Sequence, residues 1–157
     1  MSIINEIFSS GFDLYKFLAQ KSKSGNITRK LIFRELRNNI QRLEHRNKPG
    51  IDRIALIGKL EGANIYAAIK EGFDFNRLAP KQVVDNNLIK TATWAQKYKG
   101  WDADQLILSI DEKITALKDI TGIYSDVGNA PLNITRRLNN LFLLCILLVL
   151  LIKRAGE

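Results

Sequence analysis

Apolar residues recur at steps of three, four and seven along almost the whole chain, the period of a helix face and not of a strand. Ile4, Ile7 or Phe8, Leu14 or Tyr15, and Leu18 predict a first helix over about 2–21, weakened in its middle by Gly11. The run Lys-Ser-Lys-Ser-Gly at 21–25 breaks it. Asn26 is a good N-cap for a second helix to about Arg46, where Asn47, Lys48, Pro49 and Gly50 stop it. A third helical region runs from Ile51 to Glu71, with a break or kink expected at Gly58 and Gly62. Phe73 and Phe75 pin the loop that follows.

Pro80 suits a first helical turn, so a fourth helix is expected over 80–98, with Val84, Leu88, Ala92 and Ala95 on its face. Asp102 caps a fifth to about Tyr124, in which Ile107, Ile110, Ile114, Leu117 and Thr121 keep the three-four alternation. Residues 125–130 read as a loop, and Pro131 opens a sixth helix to about Arg154. Short links between amphipathic helices imply antiparallel neighbours. The expected fold is all-α, a bundle of five or six mostly antiparallel helices. Its basic part covers 1–130, and an apolar C-terminal helix covers 131–157.

That last helix departs from the pattern. Residues 141–152 are all apolar, without the polar stripe of an ordinary surface helix. Twelve helical residues span about 18 Å, short of a hydrocarbon core of about 30 Å. Arg136, Arg137, Lys153 and Arg154 flank the run and can snorkel. Something apolar must cover it: its own bundle, another copy, or lipid. Leu141, Phe142, Leu144, Ile146, Leu148 and Leu151 are therefore candidate membrane or interface residues.

Charge adds a second asymmetry. The chain has 157 residues and a net charge of +8, which favours an anionic partner without choosing one. Residues 16–59 hold twelve Lys and Arg against Glu35, Glu44 and Asp52, whereas 102–126 holds six acids against two lysines. On the second helix Ile32, Phe33, Leu36, Ile40 and Leu43 gather on one side. Lys30, Arg34, Arg37, Gln41 and His45 gather on the other, flanked by Arg42 and Arg46. Lys30, Arg34, Arg37, Arg42 and Arg46 are candidate anion contacts, since guanidinium presents a planar fork to phosphate. The same face could dock on the acidic fifth helix. Trp94, Tyr98 and Trp101, interleaved with Lys97 and Lys99, offer either a stacking set for bases or a core edge.

The chain carries no phosphate-cradling Gly-rich loop, nucleophile elbow or His-Glu-x-x-His motif. A single His and a single Cys exclude a zinc finger, and neither a metal nor another cofactor is expected. Asp102, Asp104, Asp111 and Glu112 lack EF-hand spacing. Cys145 cannot form an internal disulfide, which points to a reducing, cytoplasmic setting, and no secretory signal is expected in residues 1–18. Arg37-Asn38 followed by His45 resembles the Arg-polar-His pattern of the small all-α HEPN ribonucleases. The resemblance implies RNA cleavage with Arg37 and His45 as catalytic residues. Its spacing is one residue beyond the usual limit, and it lies on the second helix instead of a later one.

Three readings follow. The first, which leads, is a non-enzymatic protein that associates with a membrane, at its inner face, or with itself through the apolar helix, and presents a basic face to an anionic partner. The second is a soluble helical adaptor or subunit that binds nucleic acid or an acidic protein. The third is the ribonuclease.

Overall fold

A computed structural model of the chain describes residues 12–123 and 133–157. The expectations for residues 2–11, Tyr124, the 125–130 loop and Pro131 lie outside the described residues. Seven α-helices occur among the described ones: α1 (Leu14–Lys21), α2 (Ile27–Leu43), α3 (Arg53–Lys59), α4 (Ala63–Lys70), α5 (Asn86–Thr91), α6 (Ala103–Ile123) and α7 (Ile134–Ala155). Single 3-10 turns cover Phe75–Leu78 and Thr93–Tyr98. No strand forms among the described residues, only an isolated antiparallel bridge between Val83 and Asp102. The all-α class holds.

The helix starts follow their caps. Asn26 Oδ1 accepts from Arg29 N at 2.9 Å, which satisfies one of the orphan N–H groups of α2. Asp102 and Gln105 exchange two hydrogen bonds of 3.0 Å between side chain and backbone, a capping box at the head of α6. The expected break between Gly58 and Gly62 separates α3 from α4. A Cβ at Gly62 would stand 3.4 Å from Ile114 Cγ2, so this turn runs close against α6.

The fourth expected helix is corrected. Residues 80–98 form the short α5 and a 3-10 turn, not one continuous helix. Lys81 adopts a positive φ, and Val84 is drawn into an extended pairing with the chain after the turn. Val84 N donates to Trp101 O at 2.9 Å, and Gly100 N donates to Val84 O at 2.8 Å. Gly100 has φ 87°, a left-handed turn that costs glycine little. Asp85 then caps α5 by accepting from Leu88 N. The face still holds, since Val84, Leu88, Ala92 and Ala95 are all buried.

α7 lies at the centre. It packs along α6 and against α2, while α1 and α4 pack on α2 and α3 packs on α6. Leu141, Phe142, Leu144, Ile146, Leu148 and Leu151 are each 2% exposed or less. Within the apolar run only Leu143 and Leu150 are partly exposed, and they lie seven apart on one strip. The helix has no polar stripe because neighbouring helices surround nearly all of it. Its apolar side chains belong to the same core as those of the other helices.

Candidate functional site

The basic row on α2 divides in two. Towards its C-terminal end, the side chains are taken up by the fold. Arg46 Nε donates to Asn139 Oδ1 at 2.6 Å, and its guanidinium lies 4.1 Å from the Phe142 ring centroid. This ties the end of α2 to α7, and burial pulls the Arg46 pKa below its ordinary value. Arg42 stands 3.4 Å from Glu61 Oε1. The other three, Lys30, Arg34 and Arg37, have no ion pair. Arg34 is exposed, Lys30 and Arg37 are half-buried, and Arg37 Nε is buried without a hydrogen-bond partner. All 24 Lys and Arg lie among the described residues, and only three of them are ion-paired, Arg42, Lys153 and Arg154.

Beneath this row lies a polar clamp that sequence reasoning missed. Glu35 and Asn39 are each 1% exposed, on the face of α2 turned inward. Glu35 accepts from Asn64 N at 2.9 Å and from Ile65 N at 3.1 Å. Those are first-turn N–H groups of α4, whose own N-cap Gly62 has no side chain to satisfy them. Asn39 Nδ2 donates to Glu61 O at 2.7 Å and Asn39 Oδ1 accepts from Glu61 N at 2.8 Å. Asn38 Nδ2 donates to Glu61 Oε2 at 3.1 Å. One helix thus supplies the side-chain partners of Glu61, Asn64 and Ile65 across the α3–α4 turn. Burial raises the Glu35 pKa, and the backbone donors oppose that shift. The available signal was an acid within the buried half of an otherwise apolar helical stripe.

A cleft of about 610 Å³ opens beside the clamp, between α2, α4 and α6. Arg34 and Lys118 bring positive charge to it, Asp111 and Glu61 negative charge, and Tyr66 an exposed ring. The basic face of α2 and the acidic α6 therefore meet across one cleft, without an ion pair between Arg34 and Asp111. Burial raises the Asp111 pKa, and Glu112 adds to the shift. Both oxygens of Glu35 are committed to backbone donors and those of Glu61 to Arg42 and Asn38, so Asp111 is the carboxylate of the lining that is left without a partner. Among the described residues no group of three or more His, Cys, Asp or Glu gathers as a metal site.

The HEPN-like pair, Arg37 and His45, is not joined in the depression that His45 lines. This depression of about 160 Å³ is lined by Asn38, Gln41, Arg42 and His45, and Arg37 lies outside it. The aromatic set is built into a core edge. Tyr98 is buried and meets Trp101 edge-on at 5.0 Å, and Trp94 packs against the core. Cys145 is buried, and desolvation pushes its thiol up to about 12. No protein-family model matches the chain, and no curated protein or solved structure matches it.

Proposed function

We propose that this protein is a non-enzymatic helical binding module that holds a nucleic-acid backbone against the basic face of α2. The observation that carries the reading is the uncommitted positive charge, with Lys30, Arg34 and Arg37 in one row without an acidic partner. The seven helical steps from Lys30 to Arg37 cover about 10 Å, the length of roughly three nucleotide steps along one strand. With Tyr98 and its neighbours packed into the core edge, the contact is to phosphates and not to stacked bases. Such a module tolerates many sequences. A free, buried Cys145 fits a reducing, cytoplasmic compartment.

The test is binding of a short duplex measured against salt. Three phosphate contacts give a slope of log K against log salt of about −2.7. The double substitution K30Q/R34Q is expected to flatten that slope by about 2 and leave the fold intact. Absence of binding at 50 mM salt, or an unchanged slope in the variant, defeats the reading.

Membrane association through α7 keeps one support: by length and composition the helix suffices to cross a bilayer. The geometry weighs against it. Ten of the twelve side chains at 141–152 are buried against the rest of the chain. Their burial is worth about 15–30 kcal/mol at roughly 1.5–3 kcal/mol each, against a typical net stability of about 5–15 kcal/mol. Lipid would cover α7 again, but not the faces of α2 and α6 that it leaves behind. The same argument weighs against self-association through this helix.

A further inference from the structure

A second group of cations stands apart from α2, where α7 begins beside the middle of α6. The two helices are held together by buried side chains such as Leu117 and Leu138. A cleft of about 400 Å³ opens between them, lined by Lys113 from α6 and by Asn133, Arg136, Arg137 and Asn140 from the first turns of α7, with Leu117 beneath. None of the three cations has an ion pair. Among the described residues no acid lines the cleft.

This arrangement is unfavourable as it stands. Burial lowers the pKa of Lys113, and the charges of Lys97 and Arg137 lower it further; Glu112 opposes them only in part. Arg136 and Arg137 also sit in the first turns of a 22-residue helix that has no acid there. That end carries the positive pole of the helix dipole, which disfavours cations. The polar groups have capacity to spare. Asn133 uses its Oδ1 to accept from Arg136 N, while Asn140 and the three cationic heads make no side-chain hydrogen bond. An anion in the cleft would relieve the repulsion and take up two guanidinium forks. A volume of this size admits a ligand of small-molecule dimensions.

We propose that the cleft between α6 and the start of α7 binds the phosphoryl group of a soluble small molecule, a diphosphate or phosphate monoester, through Lys113, Arg136 and Arg137. The site is separate from the α2 face and does not depend on the function proposed there.

Inorganic pyrophosphate is the probe, titrated calorimetrically into the full chain at low salt. One site per chain is expected. Lys113→Gln with Arg137→Gln should weaken it at least tenfold, and K30Q/R34Q should leave it unchanged. Duplex binding should respond in the opposite way, so that failure of one proposal is distinguishable from failure of the other. Because the two substitutions remove repulsion, the K113Q/R137Q protein without ligand should be at least as stable to urea as the wild type. Four results would overturn the proposal. They are no pyrophosphate binding at millimolar concentration, equal weakening by both double variants, a K113Q/R137Q protein less stable than wild type, and binding to anionic phospholipid vesicles without binding to pyrophosphate.

Discussion

Replacing Glu35 by alanine tests whether one buried carboxylate holds the α3–α4 turn. The substitution removes the partner of two first-turn donors, Asn64 N and Ile65 N, at 2.9 and 3.1 Å. Each unsatisfied buried N–H costs about 1–3 kcal/mol. Water can reach this position from the adjoining cleft, and removal of a desolvated charge returns part of the loss, so the net expectation is about 2–4 kcal/mol. Urea unfolding measures it. With m near 2 kcal/mol per M, the midpoint should fall by about 1–2 M at unchanged m. Glu35→Gln keeps one acceptor oxygen but turns its NH₂ towards a donor, and should lie between alanine and wild type. The pH dependence adds a sign. Burial raises the folded pKa of Glu35 above its unfolded value, so the proton-linked part of its contribution is fully present below the unfolded value. It is lost as pH rises through the raised one. The glutamine variant should lose that part of the slope and keep the part due to Asp111, whose pKa is also raised. An alanine variant with the wild-type midpoint, or a glutamine variant weaker than alanine, refutes the reasoning.

Two further outcomes are expected. Asp85 caps α5 and meets Arg154 in a bidentate pair at 2.9 and 2.7 Å, and the Arg154 guanidinium, with backbone donors, holds its pKa below the ordinary value. Its stabilisation is present above the unfolded pKa and lost as pH falls through the depressed one, so urea midpoints of Asp85→Asn should show a smaller decline in acid. At neutral pH this partly exposed pair contributes only about 0–1 kcal/mol. On α7, Leu144→Ala should cost about 2–5 kcal/mol by urea unfolding, and Leu143→Ala clearly less. Leu144 is fully buried and its neighbour lies on the half-exposed strip. Equal costs would mean that α7 is rotated from its described position.

What the sequence could convey was local. The caps Asn26 and Asp102 and the apolar face of α6 act within one or two turns, and the structure keeps them. Val84, Leu88, Ala92 and Ala95 were a correct buried set on an incorrect continuous helix. The helix failed because Val84 takes its partners from Gly100 and Trp101, a choice that no helical period encodes. The basic row was visible in sequence, but its division was not. Arg46 is drawn away by Asn139 and Phe142, more than ninety residues along the chain. Lys113 likewise stood within an acidic segment and met Arg136 and Arg137 only through the packing of α6 on α7. The apolar run predicted a need for cover, and only the three-dimensional arrangement supplied what covers it.

The account rests on α7 as the core of a folded module, and Cys145, fully buried within that helix, reports on it directly. The measurement is the rate at which a water-soluble thiol reagent labels Cys145 in buffer without lipid or detergent, compared with the urea-unfolded chain. A net stability of 5 kcal/mol or more predicts protection of at least about a thousandfold, lost together with the global fold in urea. Labelling of the folded chain at nearly the unfolded rate, with protection restored by phospholipid vesicles, would contradict the account.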